Sequence, residues 1–368
     1  MTKVSLTRVG RDLCAAVAEA IDELGQRVIA PGDRVLIKPN LVRSEDPESG
    51  EITHFRLIEA VARYCLDCGA AEVTIGEGPS YYQPKSRLRE CFTSTGVSEV
   101  AHRLGVKWVI FDEHSYRIFR KVSDCTPNEF RITEFVFNCD KLINLPVLKT
   151  HYLTKVTLAM KNLKGCLKWE DKIQFHQPDL NRAIVELNKI IRPTLNIIDA
   201  TKWKTGGLLI ASSDIVAADS VGCALMEIDP MQVRMITLGT AAGLGESDIT
   251  RMDIIGEELK RLKFKVKLPQ EQLRQSFPGL EIVGADKACS GCLIPLISTL
   301  MLLRERGAKM NKPLTIYLGK DPRIQEDEPH LLVGDCAEVK GKEGDNKVAG
   351  CPPERETMLN SLVQAMVE

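Results

Sequence analysis

The sequence lacks net charge, long apolar runs and the common catalytic signatures, and each absence removes a class of function. Its 49 Lys and Arg stand against 50 Asp and Glu, a formal net charge of −1. No bulk field therefore recruits nucleic acid or an anionic membrane surface. The longest apolar run, Leu293–Leu303, is broken by Pro295, Ser298 and Thr299. It falls short of the roughly 20 residues that span a bilayer and reads as a buried helix. The opening residues, MTKVSLTRVG, contain no apolar core of a secretory signal. There is no G-x-S-x-G, no H-E-x-x-H, no Walker A motif and no well-placed G-x-G-x-x-G, so hydrolase, zincin, P-loop and simple dinucleotide-dehydrogenase chemistry have no support. No repeat of fixed period and no low-complexity tract is present.

What is present is 368 residues at 44% hydrophobic content, enough for two domains or one large core with an appended module. Twelve cysteines without an export signal point to a reducing compartment, where thiols are ligands, catalysts or small core residues. The cytoplasm is the expected location.

The first half alternates strand-like and helix-like segments. DRVLIKPNLV, AEVTIGEGPS and VKWVIFDE read as strands, FRLIEAVARYCLDCGA and SRLRECFTSTGVSEVAHRLG as helices, the former stopping at Gly69. CDKLINLPVL and LNIIDA continue the strands, LTKVTLAMKNLKG and SDIVAADSVGCALMEI the helices, the last capped by Ser212, Ser213 or Asp214. After residue 280 a fresh series begins, with strands in GLEIVGADKAC, PLTIYLG and PHLLVGDCAE and helices in CLIPLISTLMLLRERG and PPERETMLNSLVQAMVE, the last opened by prolines. The expected fold is α/β: a Rossmann-like, mostly parallel sheet with helices on both faces over residues 1–280, and a smaller C-terminal α/β module over 281–368.

Four cysteines occupy element boundaries in the C-terminal module. Cys289 and Cys292 lie where EIVGA gives way to a helix, Cys336 follows HLLVG, and Cys351 precedes the last helix in GCPPERE. In a parallel α/β arrangement strand C-termini and helix N-termini share one sheet edge, so the four thiols are expected to converge. Outward N–H groups and helix dipoles there stabilise an anionic metal–thiolate centre. Four cysteines suit a [4Fe–4S] cluster or tetrahedral zinc, and Pro352 directly after Cys351 favours iron–sulfur. Cys65 and Cys68 make a second C-x-x-C inside an amphipathic helix and are assigned to packing.

The second constellation is LPVLKTHYLTKVTLAMKNLKGCLKWEDK. Lys149 and His151 follow a strand, where α/β active sites gather. Read as a helix, the continuation places Val156, Met160 and Leu163 on one face and Thr157, Lys161, Lys164 and Lys168 on the other. Stacked lysines repel unless an anion lies opposite, so Lys149, His151, Lys161 and Asn162 are the candidate catalytic residues. Lys38, Asn40, Glu77, Lys164 and Asp199, polar residues at strand ends and on the lysine face, are candidates for binding an anion. A solvated lysine face, helix caps and turn residues are the alternative for each taken singly.

VLIKPNLV, GAAEVTIGEGP, LINLPVLKTHYLTKVTLAMKNLKG, NIIDA and SDIVAADSVGCALMEIDP occur in the order found in domain-of-unknown-function family 362, which the chain resembles over roughly residues 30–240. Members are often joined to ferredoxin-like iron–sulfur segments, and the spacing here implies a single cluster. The chain departs from the family where Phe55 follows His54 in place of a frequent proline, and where the stretch after NIIDA is shortened to Lys204-Thr205-Gly206-Gly207. The family is distantly similar to nickel-pincer lactate racemases, which implies Lys149, His151 and His176 as residues of interest. The combined expectation is an anaerobe-type cytosolic iron–sulfur oxidoreductase passing electrons to a small anionic substrate or second cofactor. Partners then include a redox protein but neither nucleic acid nor membrane, and a homo-oligomer is compatible. An electron carrier or accessory protein, and a racemase-like enzyme with a structural metal on the four cysteines, are the alternatives.

Overall fold

The computed structural model describes the chain except residues 81–82, 176–178, 203–206, 286–287, 289, 321–328, 338–345 and 368. It divides into two compact units, Met1–Val266 and Lys267–Glu368. The border falls earlier than residue 280 because the helix Pro269–Ser276 packs on the helix Ser290–Glu305 of the second unit. Among the described residues no helix is long and apolar enough to cross a membrane.

The strands of unit 1 are β1 (Thr2–Arg8), β2 (Arg34–Lys38), β3 (Glu72–Glu77), β4 (Lys107–Ile110), β5 (Tyr116–Arg120), β6 (Glu129–Thr133), β7 (Lys141–Asn144), β8 (Lys149–His151), β9 (Lys155–Thr157), β10 (Leu195–Ala200), β11 (Leu208–Ser212) and β12 (Met252–Gly256). Eight of them form one sheet in the order β12-β1-β11-β10-β7-β2-β3-β4. It is parallel except at β11, which runs antiparallel to both neighbours. β5–β6 and β8–β9 are separate hairpins.

Both sheet faces are covered, which is why the central strands are continuously apolar rather than alternating. Successive side chains point to opposite faces. Val35 and Ile37 of β2 join a core with the helices Leu13–Asp22, Phe55–Asp67 and Val97–Leu104. Leu36 joins the opposite core with the helices Leu180–Ile190, Ile215–Leu225 and Arg234–Ala241. Asp214 is the cap of Ile215–Leu225, its Oδ1 accepting from the N–H groups of Val216 and Ala217 at 2.9 Å.

Two expected helices are broken. Residues 85–104 form a 3₁₀ turn (Lys85–Arg87) and short helices Glu90–Thr93 and Val97–Leu104, because Gly96 adopts φ +80° between the last two. The segment LTKVTLAMKNLKG is not one helix. Its first part is β9, entered through Lys155 at φ +62°, and only Ala159–Asn162 is α-helical, continuing as a 3₁₀ turn over Leu163–Cys166. β1, in the sheet between β11 and β12, is a strand that the reading of the sequence did not anticipate.

Unit 2 is a four-stranded parallel sheet in the order β13 (Leu280–Val283), β14 (Leu314–Leu318), β15 (His330–Val333), β16 (Lys347–Val348). The helices Ser290–Glu305 and Arg355–Val367 pack on each other. Pro352 and Pro353 stand just ahead of the last helix rather than in its first turn.

Candidate functional site

The strand order fixes where unit 1 can hold a ligand. From β2 the connections run outward to β3 and β4 on one side and to β7 and β10 on the other, so the order reverses between β2 and β7. In an open α/β sheet the carboxyl ends at such a point frame a crevice. Lys38 and Asn144, the last residues of β2 and β7, are direct neighbours across it.

Around this point the structure builds a chain of buried amides. Lys149 Nζ donates to Asn40 Oδ1 at 3.0 Å. Asn40 Nδ2 donates to Asn162 Oδ1 at 2.7 Å, and Asn162 Nδ2 to Asn144 Oδ1 at 2.8 Å. Asn144 Nδ2 donates to Asn196 Oδ1 at 2.9 Å, and Asn196 Nδ2 to the Ser212 carbonyl at 3.2 Å. Every link runs the same way, so each amide polarises the next and Asn40 presents its oxygen to Lys149. Asn144 and Asn196 were not foreseen; their signal is an asparagine in a short buried strand, at the end of KLIN and near the start of LNIIDA.

Beneath lies an ion pair with no access to water. Lys38 is fully buried and donates to Glu77 at 2.9 Å, while Glu77 also accepts from the N–H groups of Leu41 at 3.2 Å and Gly78 at 3.0 Å. Gly165 covers the pair. A Cβ there would sit 2.1 Å from Glu77 Oε1 and 2.5 Å from Lys38 Nζ. Lys38 and Glu77 thus neutralise each other. Lys172, also unforeseen, is buried, donates to the carbonyls of Gly78 and Pro79 at 2.9 Å and faces Asp112 at 3.9 Å.

Lys149 and His151 stand on the β8–β9 hairpin. Lys149 reaches the Glu51 carbonyl at 2.5 Å and its carboxylate at 3.7 Å. His151 Nδ1 accepts from the N–H groups of Leu153 at 3.1 Å and Thr154 at 3.3 Å, so its ring proton resides on Nε2. Burial, followed by repulsion from Lys161, Lys164 and Lys149, holds His151 well below the usual histidine range. It is neutral at physiological pH.

Lys161 and Lys164 differ from the other lysines. Burial, then Lys149, pushes Lys161 down to about 7, and burial, then Lys161 and Lys172, holds Lys164 well below the ordinary lysine range. Lys161 touches the Thr157 hydroxyl at 3.4 Å. Among the described residues neither has a carboxylate partner. They sit three residues apart on the short helix and its 3₁₀ extension, whose first N–H groups, Ala159 at 2.6 Å and Met160 at 3.1 Å, donate to the fully buried Asp219. Burial raises Asp219 to about 7. Lys168 is separate, 3.9 Å from Glu170. Asp199 is engaged elsewhere, accepting from the His54 N–H at 2.9 Å, the Thr201 N–H at 3.0 Å and the Thr201 hydroxyl at 2.6 Å. The structure therefore brings Lys149, His151, Lys161, Asn162, Lys164 and Asn40 together, with Lys38 and Glu77 as their floor. His176 and Lys204 lie outside the described residues.

In unit 2 the described cysteines of the predicted set stand beyond the C-terminal edge of the parallel sheet. Cys292 is in the first turn of Ser290–Glu305, Cys336 in the turn after β15 and Cys351 after β16; Cys289 lies outside the described residues. The two loops are tied together, Gly334 N–H to the Val348 carbonyl at 2.8 Å and Gly350 N–H to Asp335 Oδ1 at 2.7 Å. Gly334 has φ +88°, and a Cβ on it would lie 2.3 Å from the Cys292 sulfur. Only a residue without a side chain lets that buried thiol reach the loop that carries Cys336. Among the described residues no three metal-ligating side chains form a closed group. Cys292, Cys336 and Cys351 thus share one edge of the sheet, and thiolates are the donor type of iron–sulfur and zinc centres.

A family model described as Domain of unknown function (DUF362) matches residues 35–224. The chain is 29% identical over 251 residues, 63% of its length, to a thylakoid-associated protein of Synechocystis, of which it covers 75%. Among solved structures it is similar to the lactate racemase apoprotein of Thermoanaerobacterium thermosaccharolyticum, at 13% identity, with all of this chain and 82% of that one covered and a TM-score of 0.44. It is also similar to a structural-genomics protein of Thermotoga maritima, again at 13% identity, with 83% and 69% covered and a TM-score of 0.41.

Proposed function

The chain belongs to the DUF362 family, and from that premise and its lysine cluster we propose that it is an enzyme whose unit 1 holds a small anion against Lys161 and Lys164. The carrying observation is that Lys164 is buried and Lys161 half-buried with no carboxylate partner among the described residues, an arrangement that holds both below the ordinary lysine range and that an anion would complete. Lys161, driven to about 7, is poised to give and take a proton at neutral pH. His151, neutral with its proton on Nε2, donates a hydrogen bond to the anion instead of an acidic proton. Lys149, oriented by the amide chain, adds a fixed donor.

Cys289, Cys292, Cys336 and Cys351 would hold one [4Fe–4S] cluster in unit 2. Such a group, when bound, supplies single electrons, so the favoured reaction class is a reduction in which Lys161 delivers the proton and a redox partner protein restores the electrons. The reducing conditions this requires suit the cytoplasm, where Cys65, Cys91, Cys166 and Cys223 persist as free buried thiols. A second reading, proton abstraction and return with no net redox change, is favoured by the near-neutral Lys161 beside a neutral His151. In it the cysteines hold a structural metal such as zinc.

The test is protein purified without oxygen. Iron and sulfide near four each per chain, as a four-cysteine [4Fe–4S] centre requires, with reoxidation of the reduced protein by anionic substrates that is lost in Lys161→Ala, supports the reductive reading. Zinc without iron, with solvent-proton exchange into a carboxylate substrate, supports the second. A cluster whose reoxidation ignores Lys161→Ala leaves an electron carrier and contradicts both.

A further inference from the structure

Of the five lysines gathered at the site, three have a carboxylate partner and two have none among the described residues. Lys38 is matched by Glu77, Lys149 by Glu51 and Lys172 by Asp112. Lys161 and Lys164 have no such match among the described residues, and residues 81–82, 176–178 and 203–206 of that unit contain no Asp or Glu. Lys164 is more than nine-tenths buried, and its ammonium group makes no hydrogen bond or ion pair to a described residue. A ligand of one negative charge compensates only one of the two ammonium groups, and the second lysine then has to stay neutral.

The spacing adds a constraint. Three residues apart across an α-to-3₁₀ junction, the two side chains rise from one face, stacked nearly above each other. Both ammonium groups can therefore meet oxygens of one compact group. His151 Nε2–H and Lys149 supply further donors, and neither is an acceptor.

We propose that the anion of this site is a compact dianion of the phosphoryl class, bridged by Lys161 and Lys164, and not a monocarboxylate. This rests on the anion-site reading and narrows it. A bridging dianion neutralises both lysines at once through one compact group, whereas a dicarboxylate presents its two charges several ångström apart.

The experiment is calorimetric titration of the full chain at pH 7 and low ionic strength with inorganic phosphate, acetate and succinate. Expected are phosphate at least tenfold tighter than acetate or succinate, and proton uptake on phosphate binding as Lys161 becomes charged, read from buffers of different ionisation enthalpy. Lys164→Gln should weaken phosphate at least tenfold and remove most of its advantage over acetate. If acetate equals phosphate in the unaltered protein, the dianion inference falls while the anion site stands. Tighter succinate overturns the compact geometry. If none of the three binds, the anion-site reading itself fails. The unaltered protein decides these outcomes even if the variant does not fold.

Discussion

Replacing Lys161 by methionine should make the anion-free protein more stable, most of all at acidic pH. The folded-state value of about 7 lies below the ordinary 10.5. Below pH 7 both folded and unfolded chains carry the charge, and the full burial cost is present. Between about 7 and 10.5 the folded lysine is neutral while the unfolded one still holds its proton, so the cost is relieved as pH rises; above that it is gone. At ~1.4 kcal/mol per pH unit the gap corresponds to about 5 kcal/mol. Lys161 keeps part of its side chain in water, so about half of that, roughly 2–3 kcal/mol, is expected. Methionine retains most of the apolar stem, and its removal of charge also relieves Lys164 and His151. Urea unfolding of both proteins at pH 6, 8 and 10 measures this. The gain should be largest at pH 6, fade by pH 10, and shrink when phosphate stabilises only the unaltered protein. Equal or lower stability of Lys161→Met at pH 6, or a gain independent of pH, would refute the reasoning.

Gly165→Ala should cost about 3–5 kcal/mol, since its Cβ collides with both partners of the buried Lys38–Glu77 pair and neither can move into water; stability within about 1 kcal/mol of the unaltered protein, read by denaturant unfolding, would contradict the packing described. Asp219→Ala leaves the Ala159 and Met160 N–H groups without their acceptor in a dry interior, a loss of about 2–4 kcal/mol, and phosphate affinity should fall with it because the lysine-bearing helix loses its cap. Cys292→Ala should abolish iron incorporation and lower the stability of unit 2 without changing phosphate binding to unit 1, read by metal analysis and calorimetry on the same sample.

The central strands were legible because they are buried on both faces: VLIK and LNIIDA read as interior strands, whereas β1 and β11 were not anticipated, and of Ser212, Ser213 and Asp214 the structure selects Asp214 as the cap. Lys149, His151, Lys161 and Lys164 were legible as a group because they follow a strand within a short span. Their geometry was not. Val156, Met160 and Leu163 match a helical period, yet the hairpin turn through Lys155 and the capping by Asp219, 60 residues on, override it. The pairing of Lys38 with Glu77 depends on β2 lying beside β3, and that of Asn162 with Asn144 on the crossover, neither of which a local pattern encodes. The boundary positions of Cys292, Cys336 and Cys351 were legible from the sequence, whereas the contact of Cys292 with Gly334 needed the order of β13 to β16.

The most direct measurement is a ¹³C NMR titration of the lysine side chains, with Lys161 assigned through Lys161→Met, performed with and without phosphate. The account predicts that Lys161 titrates at about 7 in the anion-free protein and moves towards the ordinary lysine range when phosphate is bound, with Lys164 moving in the same direction. A Lys161 that titrates in the ordinary lysine range in both states would mean that the site is already satisfied, and the anion-binding account would be wrong.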